Sequence, residues 1–290
     1  MKKISLALIG LLTQTTLWSQ DSTSTTILAS DPTQVYTHID FNGGINFDNF
    51  GPESWDFNLT GNIAFNNVLL GTRLPITNTG NIYSYLGDLE VFAGYKLFNR
   101  VGMLKSSFAK AGIVIPTSYE GMGIGIFPEN EGFFNYYFNY TAGLQLTPKL
   151  AVYPLIGIKH YQSIRPDIYV FPQDSIYSDP EYSQTALNAG LTISYDFSPR
   201  SFVQFNMLYE RGVWKTADGR ELFSSGSDQF TRTATSYSLK YQYGICKNSF
   251  LYLQGAYFPM EKWHEPFDRK QGFERYKITL GYQHYLGRGK

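Results

Sequence analysis

Two pairs of side chains in this sequence have the types that acid–base catalysis requires. His160 and Ser163 lie three residues apart, and His38 and Asp40 lie two apart. A serine nucleophile needs a base within hydrogen-bond reach and a third group that orients this base. On a strand, His160 and Ser163 would lie on opposite faces, and His38 has no evident serine partner. These spacings make catalysis the least favoured chemistry of the chain, and we predict that it is not an enzyme.

Metal and cofactor chemistry are not favoured either. The chain has four His and one Cys, and they do not cluster at the spacing of metal ligands. The acidic residues within 162–183 predict a solvated loop rather than a calcium site. The glycine-rich stretch 121–125 does not precede a helical pattern, so it does not predict a nucleotide cradle. We therefore expect no cofactor and no metal.

A larger group of charged residues lies on the polar side of alternating segments. Successive side chains of a β-strand point to opposite faces, so alternation of apolar and polar residues predicts a strand. Between residues 185 and 197, Leu187, Leu191 and Ile193 share one parity, whereas Asn188 and Asp196 share the other. The charged residues of the polar parity are Asp40, Asp56, Arg73, Glu90, Lys96, Lys110, Lys159, Asp196, Glu210, Lys240 and Lys277.

The same two-sided pattern repeats along the chain without a helical pattern in between. It predicts about twelve strands, the second and third of which meet at Asn66-Asn67, a turn pair that tolerates positive φ. The predicted strands are 35–47, 55–65, 68–76, 88–98, 105–117, 133–146, 150–161, 184–197, 201–209, 230–245, 250–257 and 273–286.

The connections between these strands are alternately short and long. The short ones lie near 66, 100, 148, 199 and 247, and the long ones at 48–54, 77–87, 118–132, 162–183, 210–229 and 258–272. Such sorting is typical of an all-β, transmembrane antiparallel up-and-down β-barrel with short periplasmic turns and longer outward loops. About a dozen strands enclose too wide an interior for apolar side chains to fill, so the apolar face points to lipid.

In this barrel the eleven charged residues line the lumen. Both signs are represented, so a pore that selects strongly for one sign is not indicated. The charges either bias the solutes that pass or pair with one another and brace the wall. The long loops carry aromatic residues beside proline, which either gate the mouth and select apolar or aromatic solutes or pack into a rigid cap. The gating candidates are Tyr169, Phe171, Trp263, His264 and Phe267.

The first residues predict export. Met1-Lys2-Lys3 is basic, and Ile4 to Leu12 is apolar but too short to span a bilayer as a helix. We predict a signal peptide at 1–19, a flexible leader at 20–34, the barrel at 35–286 and a C-terminal tail at 287–290. The outer membrane of a Gram-negative cell follows as the location. Lys+Arg equal Asp+Glu at 24 each, which argues against a nucleic-acid partner.

Two stretches carry resemblances to known barrels. Residues 276–286 resemble the C-terminal assembly signal of Gram-negative outer-membrane barrels: Thr279 and Gly281 match the pattern, whereas His284 departs from it. The resemblance implies outer-membrane lipid and the barrel-assembly machinery as partners. Residues 87–97 and 113–117 resemble the barrel family associated with meta-pathway phenol degradation, which implies transport. Three hypotheses remain: a passive channel or transporter for small solutes, a closed barrel with a structural, adhesive or partner-binding role, and a lipid-modifying enzyme.

Overall fold

A computed structural model describes residues 29–48, 54–79, 83–98, 103–115, 133–163, 182–216, 231–263 and 271–288. All regular secondary structure within these ranges is β-strand. The strands are β1 (Tyr36–Asp48), β2 (Ser54–Phe65), β3 (Val68–Thr79), β4 (Tyr83–Leu86), β5 (Leu89–Phe98), β6 (Leu104–Ile115), β7 (Phe133–Gln145), β8 (Leu150–Ser163), β9 (Tyr182–Ser198), β10 (Ser201–Thr216), β11 (Thr231–Gly244), β12 (Ser249–Trp263) and β13 (Gln271–Arg288).

The strands form one closed antiparallel sheet. β1 pairs with β2 on one side and with β13 on the other, and each later strand pairs with its neighbours in chain order. β4 and β5 both pair with β3, and together they occupy one position in the ring. The described residues therefore make a twelve-stranded up-and-down barrel, which confirms the predicted fold class.

The split between β4 and β5 is a local irregularity of one long strand. Leu86 lies opposite Ile76, and Glu90 lies opposite Arg73, so the intervening stretch holds one residue more than its partner on β3. The amide of Gly87 still donates to a carbonyl of β3, that of Pro75, at 2.8 Å. The predicted long loop at 77–87 is wrong, because β3 continues to residue 79 and pairing resumes at residue 83.

The turns at the short-turn end agree with their sequences. Asn66 adopts a φ of 52°, the left-handed conformation that its side chain tolerates in a two-residue hairpin. Gly287 has a φ of 148°, near the register shift at Thr37 and His38 of β1. β13 continues through Gly287 and Arg288, so the predicted tail at 287–290 begins too early.

Several strands extend further outward than alternation predicts. β10 runs to Thr216 although its predicted end is residue 209, and β12 runs to Trp263 although its predicted end is residue 257. The alternation fails at Glu210-Arg211. A hairpin that rises above an apolar belt has water on both faces, so its pairing no longer requires an apolar face.

The outside of the barrel is apolar. Large hydrophobic side chains of one parity are exposed around the ring, among them Phe57 at 55%, Leu187 at 66% and Leu280 at 64%. A contiguous apolar surface of this extent is not stable in water and matches a lipid-facing belt. Among the residues that the structure describes, there is no helix with the length and hydropathy needed to span a bilayer.

Inward-facing glycines let aromatic rings lie flat on the barrel wall. A Cβ on Gly71 would stand 2.3 Å from Cζ of Phe92, and one on Gly281 would stand 2.0 Å from Cζ of Tyr252. Each ring belongs to the residue directly opposite the glycine on the adjacent strand. The rings fill interior volume close to the wall without forcing the strands apart.

Candidate functional site

Glu90 of β5 is the centre of one polar cluster inside the barrel. Lys110 Nζ donates to Glu90 Oε1 at 2.9 Å, and Arg73 Nε lies 3.4 Å from Oε2. The hydroxyl of Tyr137 also donates to Oε1. The ammonium of Lys110 lies 3.8 Å from the ring centroid of Phe92, so it combines an ion pair with a cation–π contact.

A second cluster surrounds Asp56 of β2, which is separated from β5 by β3 alone. The Asp56 carboxylate accepts from Lys277 Nζ at 2.7 Å, from Asn58 Nδ2 at 2.7 Å and from Asn46 Nδ2 at 3.3 Å. Asp56 is only 1% exposed. Lys277 lies on β13 and Asp56 on β2, so the pair spans β1 and links the two strands that flank it.

Asp40 on β1 makes a third cluster. It accepts from the hydroxyl of Tyr252 at 2.9 Å, from Asn42 Nδ2 at 3.0 Å and from Gln283 Nε2. The ammonium of Lys240 lies 5.0 Å from the ring centroid of Tyr252. The carboxylate is therefore held by neutral donors, with a cation nearby.

The other predicted lumen residues have separate positions. Lys96 Nζ donates to Gln34 Oε1 at 2.9 Å. Asp196 is half-buried near the turn at Lys149, whose carbonyl accepts from the Asp196 amide. Lys159 and Glu210 line a shared cavity. The role of all eleven residues in passage of solutes remains a proposal.

The N-terminal segment, defined as residues 29–35, lies inside the barrel. Asp31 and Pro32 start a turn in which the amide and hydroxyl of Thr33 both donate to Asp31 Oδ1, at 3.0 and 2.6 Å. Lys105 of β6 lies 3.2 Å from Asp31 Oδ2, and the side chain of Asp31 is fully buried. The prediction of a flexible leader over 20–34 is therefore wrong for residues 29–34, because their polar groups have fixed partners on the wall.

Contacts of the N-terminal segment reach strands all around the ring. Gln204 Nε2 of β10 donates to the carbonyl of Ser30 at 2.8 Å, and the hydroxyls of Thr33 and Ser106 share a hydrogen bond. Val35 packs in a buried cluster with Ala64, Leu69, Phe92 and Phe108. Ala29 packs against Tyr36, Phe250 and Tyr285. The segment thus crosses the interior close to the short turns.

A cavity of about 240 Å³ lies on one side of the interior, between β3 and β10. Ten of its twelve lining residues have polar side chains, and both signs of charge are present. The residues that line it are Arg73, Asp88, Glu90, Lys110, Val114, Asn135, Tyr137, Asn139, Lys159, Asn188, Leu208 and Glu210.

The proposed gating residues and the hydrolase pair have different outcomes. Tyr169, Phe171, His264 and Phe267 lie outside the described residues. Trp263 is the last residue of β12, and its backbone pairs with Gln271.

The ring of His160 stacks on Tyr136 at 4.7 Å, and its Nδ1 lies 2.9 Å from Thr185 Oγ1, so this ring already has a hydroxyl partner other than Ser163.

Lys105 and Asp31 are interior residues that alternation misses. The register between β6 and β7 shifts between Leu104 and Ser106, which makes Lys105 an extra residue of a β-bulge. A bulge turns a side chain away from the face that parity assigns to it. The sequence signal that could have identified Asp31 is the Asp-Pro turn, because such a turn is compact enough to fit inside the barrel.

Comparisons with known proteins relate the chain to barrels by fold. No family model matches it, and no curated protein matches it in sequence. Its structure is similar to that of an outer-membrane channel from Pseudomonas putida F1, with a TM-score of 0.62, 12% identity and coverage of 90% of this chain and 100% of that one. It also resembles the NanC porin (TM-score 0.47, 13% identity, 83% and 98% coverage) and the CymD monoaromatic hydrocarbon channel (TM-score 0.43, 12% identity, 89% and 90% coverage). At 12% identity, the likeness to the Pseudomonas putida channel shows a shared fold and nothing more.

Proposed function

We propose that this protein is an outer-membrane channel through which small solutes pass passively. The observation that carries the proposal is the polarity of the closed twelve-stranded barrel. Its outside is apolar around the ring, whereas its inside holds the Glu90, Asp56 and Asp40 clusters and a polar cavity. A closed sheet of this polarity fits lipid outside and water or solute inside.

The same geometry supports the proposed location and orientation. The apolar belt suits a bilayer, and outer-membrane barrels have their short turns on the periplasmic side, where the proposal also puts the chain termini. Within this proposal residues 1–19 act as an export signal. The last strand, with Thr279 and Gly281, is recognised by the assembly machinery.

The N-terminal segment closes the channel in its resting state. It crosses the interior near the periplasmic end and has polar contacts with Lys105, Lys96 and Gln204. A passage for solutes requires this segment to move aside. Its polar partners on both sides of the lumen support a plug that is held by a few exchangeable hydrogen bonds and one ion pair.

Single-channel recording of the refolded mature protein in a planar bilayer tests this function. We expect discrete openings of low frequency in the unmodified protein. A variant without residues 29–34 should conduct steadily, because the ion pair and hydrogen bonds that hold the segment to the wall are then lost. Folded protein that never conducts, with or without these residues, would overturn the channel.

The second candidate is a closed barrel with a structural, adhesive or partner-binding role. The contacts of the N-terminal segment favour this closed barrel, because they hold the interior shut. Absence of conductance in the shortened variant would support this candidate over the channel. Lipid hydrolysis has less support, since the ring of His160 is engaged by Tyr136 and Thr185 on the outer surface.

A further inference from the structure

A row of inward residues, each the register partner of the next, crosses five neighbouring strands. Lys110 of β6 is opposite Asn139, Asn139 is opposite Gly157, Gly157 is opposite Asn188, and Asn188 is opposite Glu210 of β10. The four side chains of this row all line the cavity of about 240 Å³. The row ends in a cation on one side and a carboxylate on the other, with two amides between them.

In each of the two asparagines of this row, the side-chain oxygen has no hydrogen-bond partner among the described residues. Oδ1 of Asn139 and Oδ1 of Asn188 are buried, and neither has a hydrogen bond among the described residues. Asn139 lies flat over Gly157, where a Cβ would stand only 2.0 Å from its Oδ1. A buried acceptor without a partner costs free energy. Because an amide can turn over and exchange its oxygen for its nitrogen, a species in the cavity that both donates and accepts satisfies whichever amide atom faces it.

The fixed charges of the cavity balance one another. Its wall holds three cations, Arg73, Lys110 and Lys159, and three carboxylates. Two of the cations pair with a single carboxylate, that of Glu90. The wall therefore gives little net attraction to an anion or a cation, and hydrogen bonding dominates what it can recognise.

We propose that the row from Lys110 to Glu210 is a binding subsite for an uncharged, hydroxyl-rich solute of monosaccharide size. A hydroxyl both donates and accepts, so it satisfies an amide whichever of the two amide atoms faces the cavity. The ring of Tyr137 and the side chain of Leu208 give the apolar surface that the C–H face of a sugar can contact. An aromatic hydrocarbon would leave both amides unsatisfied. This inference rests on the proposed channel and names its solute class.

Current recordings with glucose test the subsite. We expect glucose to interrupt the ion current of the open channel in a saturable manner, whereas phenol and glycine betaine do so at least about tenfold more weakly. Asn139→Leu combined with Asn188→Leu keeps side-chain volume and should weaken the glucose block about tenfold. Asn206→Leu is the matched control, since the amide of Asn206 faces inward but already bonds Thr192 and Ser238.

The outcomes separate the subsite from the channel. A conducting channel that glucose never blocks, or that glucose blocks equally in the double variant, overturns the subsite and leaves the channel standing. Stronger block by phenol than by glucose would assign the cavity to aromatic solutes and would also overturn it. If the folded protein does not conduct, titration calorimetry with glucose in detergent decides the subsite. Heat of binding that is lost in the double variant supports it, and absence of such heat rejects it.

Discussion

Asp31 and Lys105 form an ion pair at 3.2 Å inside the barrel, although one belongs to the N-terminal segment and the other to the wall. The carboxylate of Asp31 is fully buried, and the side chain of Lys105 is 17% exposed. The bulge at the start of β6 turns Lys105 inward to meet it. This pair is therefore the main electrostatic link that holds the N-terminal segment across the interior.

Replacing Lys105 should open the channel. The change Lys105→Gln leaves the buried carboxylate of Asp31 without its cation, and loss of one partner of a buried pair costs about 3 to 5 kcal/mol. The segment relieves this cost when it leaves the interior, so the open fraction in bilayer recordings should rise at least about tenfold.

Lys149→Gln is the control for this change, because Lys149 is an exposed lysine in a turn at the same end of the barrel. We expect it to leave the open fraction unchanged. Equal open fractions in the two variants would show that the ion pair does not hold the segment in place.

Removing the cation of the Asp56 cluster should destabilise the barrel. Lys277→Met leaves a carboxylate that is 1% exposed beside two asparagines only. We expect a loss of about 3 to 5 kcal/mol of unfolding free energy, measured from the urea dependence of folded gel mobility. The double variant Asp56→Asn, Lys277→Met should recover most of the loss, since no charge is then buried. A double variant as unstable as Lys277→Met alone would contradict this reading of the pair.

Gly112, which lies against the ring of Tyr137, should not tolerate a side chain. A Cβ at Gly112 would stand 2.6 Å from the Tyr137 hydroxyl, so Gly112→Val must displace the ring and break its hydrogen bond to Glu90. Overpacking of this kind costs about 1 to 3 kcal/mol, which the same urea assay measures. Gly255→Val is the matched control, because nothing lies within 4 Å of a Cβ at Gly255. Equal stability of the two variants would mean that the ring has another position available.

Parity in the sequence predicts much of the interior but not its pairing. Asp56 and Lys277 alternate with apolar neighbours, so each can be assigned to the inner face from its own strand alone. That they meet depends on closure of the sheet through β1, which brings the second and last strands within reach. The predicted up-and-down barrel brings these strands close, but alternation along separate strands does not fix the register that aligns the two side chains.

Alternation of apolar and polar residues does not predict two features of the interior. Lys105 is inward only because a bulge resets its strand, and a bulge leaves no periodic signal. The N-terminal segment has no period at all, because it is neither a strand nor a helix. Its Ser, Thr and Asp side chains are typical of solvated chain, and only the polar partners on the wall make them interior residues.

Labelling of Cys246 should report the orientation of the barrel. The thiol lies exposed in the turn between β11 and β12. Hydrogen bonds from the Ser249 side chain and the Asn248 backbone lower the pKa of the Cys246 thiol from its ordinary value. A lower pKa raises the thiolate fraction near neutral pH, so a maleimide should react faster than with a free cysteine, and acidification should slow the reaction.

An impermeant maleimide applied to whole cells makes this measurement, because Cys246 is the single cysteine of the chain. With the short turns in the periplasm, intact cells should show no labelling, and permeabilised cells should show complete labelling. The variant Cys246→Ser, Thr216→Cys moves the thiol to the last residue of β10, at the opposite end of the barrel, and should label in intact cells. Labelling of Cys246 itself in intact cells would place the short turns outside and would reverse the proposed orientation of the N-terminal segment.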